Sequence, residues 1–155
     1  MHHYADYFWT GGQGGPDAGG ERLMVGLVLI SHSHEIAEGT AELVRQMAGE
    51  VEIEAVGGDA EGGFGTDPQR IRVAIENLEA DEVLIFMDLG SAVRAAEMVL
   101  EILSPEEREN VTLVDAPFVE GAFAAGVSAS AGSDAEECVQ AAMEARTTPK
   151  LHDET

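Results

Sequence analysis

Two histidines, His32 and His34, stand where an apolar run ends, in "LVLISHSHEIAEG" (27–39). A second apolar run, "EVLIFMDL" (82–89), carries Asp88 near its end and is followed by Gly90 and Ser91. A neutral imidazole can serve as base, metal ligand or nucleophile. A carboxylate that accepts a hydrogen bond from one ring nitrogen fixes the tautomer and offsets positive charge on the ring. Helix starts at Gly90-Ser91 and Gly65-Thr66 would offer N–H groups suited to a phosphate. A histidine, a carboxylate behind it and two anion-binding helix starts describe a phosphohistidine site. The bland alternative is that His32 only ends its strand and Asp88 only caps its helix; pattern alone leaves both open.

His34 falls two residues on, at the start of a helix, and reads as a solvated side chain pointing elsewhere. His-x-His can hold a metal, but two ligands with no further His or Cys nearby are a weak signal. No metal or other cofactor is expected. Cys138 falls on the apolar face of the last helix and reads as core rather than nucleophile.

The elements that must position these groups alternate along the chain. "MVGLVLIS" (24–31) is a continuous apolar run, as in a strand covered on both faces. Ile36, Thr40, Leu43, Val44 and Met47 recur at helical spacing. "VEIEAVG" (51–57) alternates like a strand near an edge, and "GDAEGGFG" (58–65) is a loop. Thr66 with Gln69 fits a capping box, with Pro68 in the first helical turn. Ile71, Ala74, Ile75 and Leu78 form that helix's stripe. The second buried strand (82–89) precedes a helix (90–103) with Val93, Ala96, Val99, Leu100 and Leu103 inward. A short strand (111–116), a small-residue helix after it and a helix over 134–146 complete the domain.

This order predicts an α/β fold: an open, mainly parallel, doubly wound sheet with helices on both faces. In such sheets ligands bind beyond the carboxyl ends of the strands, where the strand order reverses. The two fully buried strands should be adjacent in the middle. His32 and Asp88 should then share one rim, across the switch point.

A chain of 155 residues with 45% hydrophobic content suits one domain with a real core. Residues 1–23 hold six of the 18 glycines, both tyrosines and Trp9, and read as a flexible or artificially added leader. The domain is expected over 24–146, with a frayed tail at 147–155. No apolar run approaches the ~18 residues of a membrane span. The single cysteine excludes an intrachain disulfide and fits a cytoplasmic location. Asp and Glu number 30 against 8 Lys and Arg, a net charge of −22. That balance repels nucleic acid and anionic membranes, so neither is expected as a partner. An acid-rich, lysine-poor surface also points to a salt-filled cytoplasm, that of a halophilic archaeon.

Other chemistries lack their motifs. There is no G-x-x-x-x-G-K-[ST] phosphate loop. The glycines at 57–65 lack the strand-to-helix setting of a dinucleotide fingerprint. "GVSAS" is not the G-x-S-x-G elbow of a serine hydrolase. A receiver domain needs an acidic cluster where this chain has Ser-His-Ser.

With "LVLISHS" around His32, "GTD" (65–67), "MDLGSA" (87–92) and "APFVEGA" (116–122), the chain resembles the phosphotransfer subunits of dihydroxyacetone kinase, the DhaM family. These carry a mannose-type EIIA domain of the phosphoenolpyruvate-dependent phosphotransferase system (PTS). The similarity runs from residue 24 to about 146 in one order. The resemblance implies a phosphotransferase in which His32 takes a phosphoryl group from the phosphocarrier HPr. It implies transfer onward to ADP held by the DhaL subunit, with the resulting ATP phosphorylating dihydroxyacetone on DhaK. By the same resemblance Asp88 orients His32, and Ser33, Gly65, Thr66, Gly90 and Ser91 line the site of a homodimer.

Mannose-type transporter domains typically have Gly-His-Gly where this chain has Ser-His-Ser, which favours the kinase subunit over a sugar-transporter component. Some bacterial relatives continue into HPr-like and enzyme-I-like domains. This chain is expected to rely on separate carriers. The loop at 57–65 bears on docking to DhaL, and the acidic surface on docking to HPr. A regulatory phosphohistidine domain would use the same site. A small sirohydrochlorin or cobalt chelatase would need a second histidine or several acids facing His32. The next histidine after His34 is His152, in the tail.

Overall fold

The structure, a computed structural model, describes residues 23–151. The leader expected over 1–23 therefore lies outside the described residues, apart from Leu23, and so does the end of the tail, with His152. The elements run β1 (Val25–Ser31), α1 (His34–Met47), β2 (Ile53–Gly57), α2 (Pro68–Asn77), β3 (Glu82–Met87), α3 (Gly90–Ile102), α4 (Pro105–Arg108), β4 (Val111–Leu113), α5 (Phe118–Ser130) and α6 (Ala135–Glu144).

The four strands form one parallel sheet in the order β2-β1-β3-β4. The chain passes from β1 outward to β2, then crosses back over β1 to β3. The reversal between β1 and β3 is the switch point where such a sheet opens a crevice. Alternate residues of β1 face opposite layers, as the two-residue period of a strand demands. Leu27 and Leu29 join Phe86 of β3, Val44 of α1, Ala122 and Ala125 of α5 and Cys138 of α6 in one core. Val28 and Ile30 join Ile85, Ile71 of α2 and Ala96 and Val99 of α3 in the other.

Most of the largest fully buried side chains belong to β1 and β3, among them Phe86, Leu27, Leu29, Ile30, Leu84 and Ile85. Each contributes roughly 2 kcal/mol on leaving water. The strands that lead to His32 and Asp88 thus hold most of the largest buried side chains.

Several local expectations are corrected. In α1 the buried face is Ala37, Thr40, Ala41 and Val44, whereas Ile36, Leu43 and Met47 are exposed. Small residues win that face because α5 approaches closely: a Cβ on Gly126 would collide with Val44. Helix α2 is capped by Asp67, which accepts from Gln69 N–H at 3.0 Å, and not by a Thr66–Gln69 box. Helix α4 is an element beyond those expected. Its start, Ser104 with Glu107, is a reciprocal capping box, a signal readable in "SPEE". Strand β4 has only three residues.

Candidate functional site

The site forms where β1 and β3 end side by side, with Ile30 in register with Met87. Beyond that pair, Asp88 reaches back to the first strand's end. Its Oδ2 accepts the Ser31 hydroxyl at 2.7 Å and the His32 backbone N–H at 3.2 Å. Its Oδ1 lies 3.1 Å from His32 Nδ1 and accepts the Leu89 N–H at 2.6 Å. Burial pushes the Asp88 carboxyl upward more than any other single influence. The hydrogen bonds from Ser31, His32 and Leu89 together outweigh it and hold the group below the usual carboxylate range. Asp88 is therefore ionised at neutral pH, and a carboxylate can only accept. The geometry then assigns the ring proton to Nδ1 and leaves a lone pair on Nε2.

Nε2 faces the start of α3, where the Ser91 hydroxyl touches it. No side chain caps this helix: its N-cap residue is Leu89, which makes no side-chain cap bond. Its first N–H groups thus lack intrahelical partners at the rim beside Nε2. Helix starts of this kind attract anions.

His32, Asp88, Gly90 and Ser91 are brought together as expected. Gly65 also belongs to the site, but as backbone: its N–H donates to the His32 carbonyl at 3.0 Å, and its φ of +139° suits glycine. Thr66 is not a helix start; its hydroxyl donates to the Ser91 carbonyl at 3.4 Å and ties the loop to α3. Ser33 turns away from the imidazole. Its hydroxyl caps α1 by accepting Ile36 N–H at 3.3 Å, and its own N–H donates to Ser31 Oγ at 3.0 Å. His34 is exposed in the first turn of α1. Cys138 is fully buried, and burial pushes its thiol up to about 12, so it is core.

Three residues escaped the sequence reading. Ser31 is fully buried and bridges Asp88 to the Ser33 N–H; its signal was the serine standing before His32. Arg70 donates from one nitrogen to the carbonyls of Gly57, Gly58 and Asp59 at 3.0–3.2 Å, pinning the glycine-rich loop. Asp59 folds that loop from within by accepting the N–H groups of Glu61 and Gly63. The Arg70 contacts span 11 to 13 residues and have no local signature, whereas the Asp59 turn is readable in an aspartate that precedes glycines. Among the described residues no group of three or more His, Cys, Asp and Glu is placed to hold a metal ion. None of the described helices is long and apolar enough to cross a membrane.

Comparison with known proteins places this geometry in a family. The model of EIIA-man, "PTS system fructose IIA component", matches residues 26–139. The phosphoryl donor subunit DhaM of the PEP-dependent dihydroxyacetone kinase of Escherichia coli K12 is 44% identical over 127 residues, 79% of this chain. This chain spans only 27% of that relative's length. The phosphoryl donor subunit DhaM of PEP-dependent dihydroxyacetone kinase 2 of Listeria innocua is 40% identical over 119 residues, covering 76% of this chain and 95% of the relative. A crystal structure of a protein of unknown function superposes with a TM-score of 0.73 at 38% identity, covering 78% of this chain and 94% of that one.

The halophilic archaeal source expected from the charge is not borne out by these relatives. Part of the acid excess has a local use instead. Asp67 and Asp134 cap helices, Glu107 and Glu137 close capping boxes, and Glu35, Glu106 and Glu136 sit in first turns, where the helix dipole favours them. From its second residue of β1 into α6, this chain belongs to the EIIA-man family, the PTS system fructose IIA component, with DhaM proteins among its relatives.

Proposed function

We propose that this protein is a phosphohistidine carrier, with residues 24–146 as the phosphotransfer domain and His32 Nε2 as the acceptor atom. The observation that carries this reading is the line Asp88–Nδ1, Nε2–Ser91. One ring nitrogen is held by a carboxylate, and the other points at an uncapped helix start.

The Nε2 lone pair attacks the phosphorus of a phosphohistidine on the donor, the carrier HPr. A new P–N bond forms, and the donor's P–N bond breaks with its electron pair returning to the donor ring. The His32 ring gains positive charge, which the Asp88 carboxylate offsets while the proton stays on Nδ1. The Ser91 hydroxyl and the first N–H groups of α3 then face the phosphoryl oxygens. In the onward step a β-phosphate oxygen of ADP attacks the phosphorus, and the P–N electron pair returns to Nε2. The protein positions and shields the group; the P–N bond itself retains the transfer potential.

We assign the ADP to the DhaL subunit and the final acceptor to dihydroxyacetone on DhaK, in the cytoplasm, with this chain as a homodimer. The names of the E. coli and L. innocua relatives, phosphoryl donor subunits of PEP-dependent dihydroxyacetone kinases, support dihydroxyacetone phosphorylation as the end of this route. Incubation with phosphoenolpyruvate, enzyme I and HPr should give an acid-labile, alkali-stable phosphate on this protein. Addition of DhaL, DhaK and dihydroxyacetone should discharge it. Labelling that persists in His32→Ala would refute the assignment.

A further inference from the structure

Of the eight lysines and arginines, seven lie among the described residues, and five of these are engaged. Arg45 and Arg70 donate to backbone carbonyls, Arg72 pairs with Glu76, Arg146 with Asp115 and Lys150 with Glu120. Arg108 ends α4 two residues before Asn110, whose carbonyl meets the amino end of β3, opposite to the site. Arg94 remains. It is exposed on α3 and makes no hydrogen bond or ion pair among the described residues.

Its placement runs against local electrostatics. Glu97 stands three residues further along α3, at a spacing suited to an ion pair, yet the two do not pair. The guanidinium instead folds back toward the helix start: Nη1 lies 3.6 Å from where a Cβ on Gly90 would be. A cation there opposes the helix dipole, whose positive end favours anions. The adjacent residue, Ser91, is the one that touches His32 Nε2. An unpaired arginine at a positive helix end, over the glycine that precedes the serine touching Nε2, suits an anion that arrives there. In a chain of net charge −22 it also counters the field that would repel an incoming phosphoryl group.

We propose that Arg94 binds the phosphoryl group on His32, donating to its non-bridging oxygens opposite the Ser91 hydroxyl. The proposal rests on the reading of His32 as phosphoryl carrier. Arginine suits the task because its planar donor fork matches phosphoryl oxygens and stays charged.

Potassium phosphoramidate, a small donor that needs no docking surface, separates this role from partner binding. The intact protein, Arg94→Ala and Arg94→Lys are phosphorylated with it, and the phosphohistidine is titrated by ³¹P NMR. Removing the guanidinium should move the phosphoryl titration midpoint upward by about half a unit, with Lys restoring part of the shift. Phosphoryl transfer from HPr should slow by about tenfold in Arg94→Ala. An unchanged ³¹P titration in a folded Arg94→Ala overturns the proposal, even if transfer from HPr slows, since Arg94 then serves docking alone. Failure of phosphoramidate to label His32 in the unaltered protein overturns the carrier reading itself, and this proposal with it.

Discussion

Asp88 and His32 stand 56 residues apart in the chain and meet at 3.1 Å, Oδ1 to Nδ1, because the strands that carry them are neighbours in the sheet. The same carboxylate also binds the Ser31 hydroxyl and the His32 main chain. One group therefore fixes both the ring and the loop that presents it. Asp88→Asn should exchange an acceptor for an amide donor on Nδ1, favouring the tautomer with its proton on Nε2. Phosphoryl acceptance should fall by about a hundredfold or more with the fold retained, as read by initial labelling rate.

The two histidines of "SHSH" should separate completely. His32→Ala abolishes labelling. His34→Ala, at an exposed position, leaves labelling within about twofold and shifts stability by less than about 0.5 kcal/mol. Parallel labelling and urea titrations of the two variants provide the check.

Gly57 closes the end of β2 against the histidine loop. A Cβ there would meet the His34 Cα at 2.6 Å and collide with the Ser33 carbonyl oxygen. Both contacts are backbone, so Gly57→Ala must displace the chain that carries His32. A loss of about 1–3 kcal/mol is expected, together with slower labelling. Chemical denaturation and labelling of one preparation measure both effects.

Cys138 should be silent toward thiol reagents in the native state. Burial raises its thiol most; Asp134 and Glu137 add to that, and a Ser128 hydrogen bond only partly opposes it. At pH 8 almost no thiolate forms. Reaction with a disulfide reagent should follow the unfolding transition, and rapid modification of the folded protein would contradict this placement.

Glu82 sits at the amino end of β3, where burial foremost, then the charges of Asp81 and Asp134, raise its carboxyl. A raised carboxyl binds its proton more tightly when folded, so its charge costs stability at neutral pH. That cost disappears as pH falls through the raised value to the unfolded one. Glu82→Gln should therefore raise the urea midpoint at pH 7, and the gain over the unaltered protein should be gone by about pH 4. A gain that persists unchanged at that pH would argue against the cause given.

Periodicity made the central sheet legible. The uninterrupted, β-branched-rich apolar runs of β1 and β3, bounded by turn residues, suit a strand covered on both faces, and their adjacency placed His32 opposite Asp88. It failed on α1, where Ile36, Leu43 and Met47 suggested one face and the protein buries another. Hydropathy ranks side chains by their aversion to water and not by the room they need, and α5 comes so close to α1 that Val44 sits where a Cβ on Gly126 would be. Thr66 misled for a related reason. Threonine and aspartate are both good caps, and the choice of Asp67 leaves the Thr66 hydroxyl free to reach Ser91.

The sequence by itself determined a mainly parallel sheet with its two fully buried strands side by side, the rim on which chemistry could occur, and the histidine-carboxylate pair. These follow from short-range patterning and chain handedness. Only the tertiary structure decided how each polar atom is used. Ser31 and Ser33 are the same residue type on either side of His32, yet one buttresses Asp88 and the other caps α1. Arg70 and Arg94 are both arginines in the helices that follow the site's loops, yet one is spent on three carbonyls and the other stays unpaired over Gly90. Hydrogen-bond partners depend on atoms brought within 3 Å or so from distant segments, and that proximity exists only once the sheet has closed the distance.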